Sequence, residues 1–426
     1  MTTGGRRSLG IVAFALLVFV TLAGARPAPA APSAAAPYVD RRVTALPAAQ
    51  LLSADPASYV DRGHQEIAQT LAWYRRSFFF AWAFSQIGAL LYLWGSGNAA
   101  RLRDALKRRI RSPFWLRFAY GAALAVVAGL AALPASLAQY RVSIVFDQSA
   151  QPLWSWLRDG IVRVGVDALG VGIVVAVVLT LVARTRAWWV YSTIGMLALT
   201  LAIGFFDPVA IAPAFNHYQP LPAGNPYVPA LRALENAAGV DAPIYIGDAS
   251  RQTQIVTTRM LGYGPTARIW LGDTLFSAAT AGEVDYAFAR ELAHYKREDA
   301  LRTTCVWTLL FLLSIAAGVL VAEGIVFRGD DDPLARIALV AALAGVAGLL
   351  AFPIYNLYSR QIETKADAYA LSITHDPASA VRSFVRSADR RFALLCAPRA
   401  ALLYFGPAPN LGTRIASATG RPDPCR

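Results

Sequence analysis

The feature that most constrains this chain is a series of uncharged apolar blocks too long for the core of a soluble domain. Phe118–Tyr140 carries no charge for 23 residues, and Ala187–Phe206, Thr303–Ala322 and Ile337–Ser359 are each uncharged for 20 residues or more. A bilayer core takes about 20 apolar residues per helix, and an isolated span in lipid must satisfy its own backbone, which a helix does. Phe78–Trp94 is shorter, but uncharged and aromatic-rich. A block from about Ile161 to Ala183 also spans if Arg163 and Asp167 lie near its end or face protein; four residues apart, the two read as an ion pair. The expected fold is therefore an α-helical polytopic membrane protein with six to seven transmembrane helices. The seventh depends on the N-terminus, where Arg6 and Arg7 precede an apolar run from Ser8 to Gly24 and the small residues Ala28-Pro29-Ala30. Residues 1–30 thus read as a signal peptide or a first membrane helix.

Composition agrees with the blocks. Apolar residues make up 56% of the 426 and charged ones 16%, against roughly 45–50% and 25% in soluble proteins. That is too little charge to cover two or three soluble surfaces. The formal charge of +13 suggests nucleic acid at first sight. Its residues, however, gather at the ends of apolar blocks, as in Arg101, Arg103, Lys107, Arg108, Arg109 and Arg111. A nucleic-acid binder would set them on one face; placement at loop ends is what the positive-inside rule expects of cytoplasmic loops. The expected surroundings are a lipid bilayer and no nucleic acid.

Two stretches differ from the spans. Residues 207–302 carry Pro, Gly, charge and β-branched alternation, with short strands expected at Ile244-Tyr245-Ile246 and Arg268-Ile269-Trp270-Leu271. Residues 360–426 are helical at first and then rich in Pro and Gly. The division is then an N-terminal transmembrane region over 31–206, a water-facing domain over 207–302, two further spans over 303–359, and the rest of that domain over 360–426. With the Arg-rich loop at 95–113 and the Arg184–Arg186 turn in the cytoplasm, both polar stretches fall on the extracytoplasmic side, as in a bacterial inner membrane. Cys396 and Cys425 share the last stretch; a disulfide would suit that compartment, two free thiols being the alternative, and Cys305 sits in a span as a small apolar residue.

The chemistry gathers where the first polar stretch runs into the membrane. Glu283–Arg302 reads as one helix continuing into the Thr303 span, and contains Arg290-Glu291-Leu292-Ala293-His294. In the zinc motif H-E-x-x-H, two His at i and i+4 share a helical face and the Glu is general base for the metal-bound water. Here Glu291 and His294 are present and Arg290 stands in the first ligand position. After the last span, Glu363 and Asp367 share a face at i and i+4 within Ser359-Arg360-Gln361-Ile362-Glu363-Thr364-Lys365-Ala366-Asp367. His64, His217 and His375 lie outside any ligand spacing and read as ordinary loop or helix residues, a distant ligand being the alternative.

This order of motifs resembles the CAAX prenyl endopeptidase family of membrane zinc metallopeptidases. The resemblance makes Glu363 the third zinc ligand, as the Glu of an S-R-x-x-E-x-x-A-D segment, and Asp367 the residue that orients a ligand His. It extends through Trp156, Leu157 and Asp159, Ile211–Asn216, Asp248 with Ser250, Ile269–Leu275, Glu283, and Pro409, Arg414 and Ile415. It implies a small α+β metallopeptidase-like domain closed over the helical bundle, with a chamber inside. Three positions depart from it: Arg290 for the first His, Ala408 for the His before Pro, and Thr257-Thr258 where the substrate-presenting strand carries Asn-Ala.

An arginine is always protonated and has no lone pair for a metal, and a catalytic zinc keeps three protein ligands and a water. One expectation is therefore a peptidase-like protein without zinc, in which Arg290 pairs with Glu363 or Glu291 and which binds peptides or membrane-protein segments. The other is an active or atypical zinc metalloendopeptidase with Glu291 as base, His294 and Glu363 as ligands and Asp367 behind them. A third possibility, that Arg290 marks a decayed or recent variant, follows from the single base change separating His from Arg.

Overall fold

A computed structural model describes residues 45–60, 62–326 and 333–426, so the expected signal or anchor segment at 1–30 lies outside the described residues. In chain order the helices are α1 (Ala48–Ser53), α2 (Arg62–Gly95), α3 (Asn98–Arg109), α4 (Pro113–Val145), α5 (Leu153–Arg184), α6 (Trp188–Phe206), α7 (Val228–Ala238), α8 (Asp273–Ala278), α9 (Ala281–Lys296), α10 (Asp299–Val326), α11 (Pro333–Thr374), α12 (Pro377–Arg391), α13 (Arg399–Phe405) and α14 (Leu411–Thr419). Four strands lie among them: β1 (Tyr218–Pro220), β2 (Ile244–Gly247), β3 (Thr258–Leu261) and β4 (Arg268–Gly272).

The six expected blocks all lie in helices long and apolar enough to cross a membrane: α2, α4, α5, α6, α10 and α11. Large apolar side chains such as Leu130, Ile194, Leu320 and Leu350 stand exposed along them, the latter two at 69% and 73%. In lipid such exposure costs nothing, because hydrocarbon replaces the water that would penalise it. Small residues let some of the helices approach closely. At Gly318 of α10 an added Cβ would lie 2.8 Å from backbone atoms of Val340 and Ala344, so only glycine lets α10 and α11 approach this closely. Arg163 and Asp167 on α5 feel each other's charge but do not close into a salt bridge among the described residues.

The polar stretches form one small α+β unit. Its mixed sheet has the order β1-β2-β4-β3, with β2 and β4 parallel and the outer strands antiparallel. Sequence patterning found β2 and β4 and left out β1, of three residues, and β3, whose Thr-Arg-Met-Leu carries no apolar run like Ile244-Tyr245-Ile246. Leu231, Ile244, Ile269, Leu271, Val284, Phe288 and Leu292 join α7, the sheet and α9 in one core. A second core joins Leu51 and Tyr59 to Tyr286, Val381, Phe384 and Ile415, so the segment ahead of the first span also belongs to this unit. Cys396 and Cys425 form a disulfide across a sequence separation of 29.

One expectation fails at the membrane boundary. Glu283–Arg302 is two helices: α9 ends at Lys296, Glu298 takes a positive φ of 52°, and α10 restarts at Asp299. A left-handed residue breaks the helical hydrogen-bond ladder, and the fresh N-terminus takes Asp299 in its first turn, where the helix dipole favours negative charge. By contrast α11 runs unbroken for 42 residues, from the last span into the α+β unit. The result sets the end of α9 and the far end of α11 side by side.

Candidate functional site

Helix α9 starts on a capping arrangement in which Glu283 accepts the Thr280 N–H at 2.7 Å, and buried Glu283 also takes Arg386 Nε at 2.9 Å. This fixes the helix axis. Arg290 and His294 then fall on one face, opposite Glu363 and Asp367 on the extension of α11, as the i, i+4 spacings require.

Arg290 occupies the centre. Its Nη2 donates to Glu363 Oε2, and its Nε donates to Asp367 Oδ1 at 2.7 Å. Burial opposes its charge, but Asp367 first, then Glu363 and Glu291, more than offset this and raise its pKa above the ordinary arginine value. Asp367 is buried and receives a second guanidinium: Arg414 Nε donates to Oδ2 at 2.7 Å and Nη2 to Oδ1 at 2.8 Å. Tyr286 adds its hydroxyl to Oδ1 at 3.3 Å. Such two-pronged arginine–carboxylate pairs combine charge with fixed geometry.

His294 is held from both sides. Its Nδ1 lies 2.9 Å from Asp299 Oδ2, an approach made possible by the break at Glu298, and its Nε2 lies 3.7 Å from Glu363 Oε1. Burial lowers the pKa of the ring, while the Asp299 hydrogen bond and the charges of Glu291 and Glu363 outweigh it, so the net shift is upward from 6.5. Arg297 also reaches Asp299, at 2.5 Å. Glu291 is buried and accepts the Thr258 hydroxyl at 2.7 Å. Thr257 turns away: its hydroxyl donates to Ile255 O at 3.0 Å and its carbonyl takes Gly272 N at 2.9 Å. Arg290, Glu291, His294, Glu363 and Thr258 all line a cavity of about 520 Å³, Ala408 closing part of its wall.

The other histidines lie elsewhere. His64 lies 3.2 Å from Asp389 Oδ1 and stacks on Phe392, while exposed His217 pairs with Asp248 Oδ2 at 3.0 Å. His375 ends α11 with a positive φ of 49°. Among the described residues no three His, Cys, Asp or Glu side chains come together as a metal-holding group.

With this geometry the relatives can be read. A model of peptidase family M48 matches residues 231–421, and a model of the CAAX prenyl protease N-terminal region, five membrane helices, matches residues 60–217. Between them the two take in every residue of the site. Residues 231–421 thus match peptidase family M48 and residues 60–217 the membrane region of CAAX prenyl proteases. The uncharacterized metalloprotease YhfN of Bacillus subtilis is 24% identical to this chain over 86% of it and 88% of the relative. A CAAX prenyl protease 1 homolog of Oryza sativa subsp. japonica is 29% identical over 53% of the chain and 55% of the relative. The crystal structure of S. mikatae Ste24p is similar with a TM-score of 0.70 at 16% identity, covering 98% of this chain and 99% of that one, a likeness of fold.

Three residues of the centre carried no role in the sequence. Arg414 stood in a motif without a partner, Asp299 lay inside what read as one continuous helix, and Tyr286 had no signal at all. Only the break at Glu298 and the docking of α14 bring them in.

Two outcomes follow. Arg290→Met leaves Glu363 without its cation and removes one of two from Asp367, so it should lower unfolding stability by about 2–4 kcal/mol, read as a fall in melting temperature; an unchanged melting temperature would contradict the ion-pair assignment. Because the His294 pKa is raised, the stability its charge contributes is fully present below about pH 6.5 and is lost as pH rises through the raised value. Melting temperatures of the wild type should therefore fall relative to those of His294→Gln as pH is raised through neutrality.

Proposed function

We propose that this protein binds peptides or membrane-protein segments in its cavity without hydrolysing them, an ion-pair network around Arg290 standing in place of a metal centre. The observation that carries the reading is the Arg290 guanidinium donating to Glu363 and Asp367 at once. Family M48 in general uses zinc. The donor set here does not suit that ion: His294 Nε2 and Glu363 offer lone pairs, whereas the third position presents a protonated guanidinium already engaged with Glu363. A positive charge fixed there also repels a cation and compensates the carboxylates that a metal would otherwise neutralise. Peptide is the favoured ligand because the relatives are named as proteases and because β3, at the edge of the sheet, borders the cavity through Thr258, Arg259 and Met260. A sheet edge takes an extended chain through main-chain hydrogen bonds.

The alternative is an active zinc metalloendopeptidase acting on membrane-associated peptides, with Glu291 as base, His294 and Glu363 as ligands and Asp367 behind them. Buried Glu291 facing the cavity favours it. Zinc content of the purified protein separates the two: substoichiometric zinc is expected in the wild type and stoichiometric zinc in Arg290→His. Stoichiometric zinc in the wild type, with peptide cleavage abolished by Glu291→Gln, would sink the non-catalytic reading.

The same reading places the α+β unit outside the cytoplasm of a bacterial inner membrane. The Cys396–Cys425 bond supports this, since disulfides persist in oxidising compartments. In intact cells, a membrane-impermeant maleimide should label Cys396 and Cys425 from the outer face after reduction and not before. Labelling only after lysis would reverse the orientation, and labelling of intact cells without reduction would overturn the disulfide while keeping the orientation.

A further inference from the structure

The cavity wall is not electrically balanced. Each of its carboxylates has a partner: Glu283 takes Arg386 at 2.9 Å, Glu291 takes Thr258 at 2.7 Å, Asp299 takes His294 at 2.9 Å, and Glu363 takes Arg290. Two of the cavity's arginines are left over. Arg391, the last residue of α12, is exposed to the cavity, and its Nη2 donates to Val256 O at 3.3 Å, just ahead of β3. Arg259, on β3 itself, is also exposed, and its guanidinium lies 6.0 Å from the centre of the Trp270 ring. Neither reaches a carboxylate at salt-bridge distance among the described residues.

Their surroundings deepen the excess. Arg75 of α2 donates to Arg391 O at 3.3 Å and to Gln148 Oε1 at 2.6 Å, which adds a third cation behind the pair. Burial, followed by the positive charges of Arg290, Arg414 and Arg259, pushes the Arg391 guanidinium below the ordinary arginine value, with Glu363 alone acting the other way. Asp207 acts on Arg259 and Glu363 on Arg391 without closing a salt bridge to either, so the like charges are only partly compensated, and low surrounding dielectric strengthens what an arriving anion gains.

We propose that Arg391 and Arg259 form an anion-binding subsite that selects bound segments carrying a carboxylate. This rests on the peptide-binding reading above. Both side chains line the cavity beside the edge strand, Arg391 bonded to Val256 O just ahead of β3 and Arg259 on β3 itself, so a segment lying along β3 comes close to both. A guanidinium offers a planar set of donors matched to a carboxylate. The carboxylate can come from an Asp or Glu side chain or from a chain terminus. The edge strand favours a peptide over the phosphate of a lipid, which has no backbone to pair with it.

The test uses the full chain in nanodiscs of neutral lipid and a fluorescent decapeptide free of proline, with Kd read by anisotropy. Four probes carry a central Asp or Asn, each with a free or amidated C-terminus. Wild type should bind the amidated Asp peptide about five- to tenfold more tightly than the amidated Asn peptide, as expected of one charge-assisted pair. A similar gain for the free over the amidated Asn peptide assigns the terminus as a second source of the same group. Arg391→Gln should lose the preference and keep binding of the amidated Asn peptide, while Arg391→Lys, which preserves charge and guards against misfolding, should retain part of it. Equal binding of the Asp and Asn amides by wild type, with free and amidated ends alike, overturns the subsite alone. Absence of binding by all four peptides overturns the peptide reading and this inference with it. Displacement of the Asp peptide by short-chain phosphatidylglycerol at lower concentration than by unlabelled Asp peptide moves the ligand to lipid phosphate and overturns it as well.

Discussion

The site depends on one buried carboxylate. Asp367 sits on α11 with Arg290 of α9 on one side and Arg414 of α14 on the other, at 2.7–2.8 Å. A lone carboxylate at that depth would cost several kcal/mol; with two guanidiniums it becomes the joint at which three helices meet. Removing either arginine unbalances it, which is why the last segment of the chain belongs to the centre as much as α9 does. The same carboxylate fixes the pose of Arg290, because the bond to Nε orients the guanidinium so that Nη2 meets Glu363.

The break at Glu298 supplies the second constraint. Were α9 and α10 continuous, Asp299 would follow the helix at five residues beyond His294, off its face. The left-handed step at Glu298, φ 52°, lets Asp299 return to His294 Nδ1. The imidazole is thereby held by one carboxylate while its other nitrogen faces Glu363. α10 and α11 pass close at Gly318; α11 carries Glu363 and Asp367 beyond its span, and α10 begins at Asp299, directly after the turn that ends α9.

Much of this was legible in the residues and some was not. Six spans were readable because lipid demands long uncharged runs, and that demand acts on composition alone. That Arg290 shares a face with His294, and Glu363 one with Asp367, was readable because i, i+4 spacing fixes a helical face before any packing is known; whether Arg290 meets Glu363 or Glu291 was not. Thr258 and Thr257 could not be told apart: β alternation sends one hydroxyl to Glu291 and leaves the other on the chain's own backbone, and β3 carries no apolar run to announce its register. The uneven charge of the cavity was equally hidden, since Arg259 and Arg391 lie 132 residues apart in number and become neighbours only through α12.

By itself the sequence determined that this chain lives in a membrane, which residues share helical faces, and that a guanidinium stands one residue before Glu291 on the His294 face. Those properties follow from hydrophobic length, helical period and side-chain chemistry, all of which are local. The tertiary structure alone decided which carboxylates that guanidinium meets, that Arg414 shares Asp367 with it, and that Arg259 and Arg391 close no salt bridge among the described residues. Such facts depend on distances across a cavity, and Coulombic partners are chosen by proximity in space, which no spacing along the chain encodes.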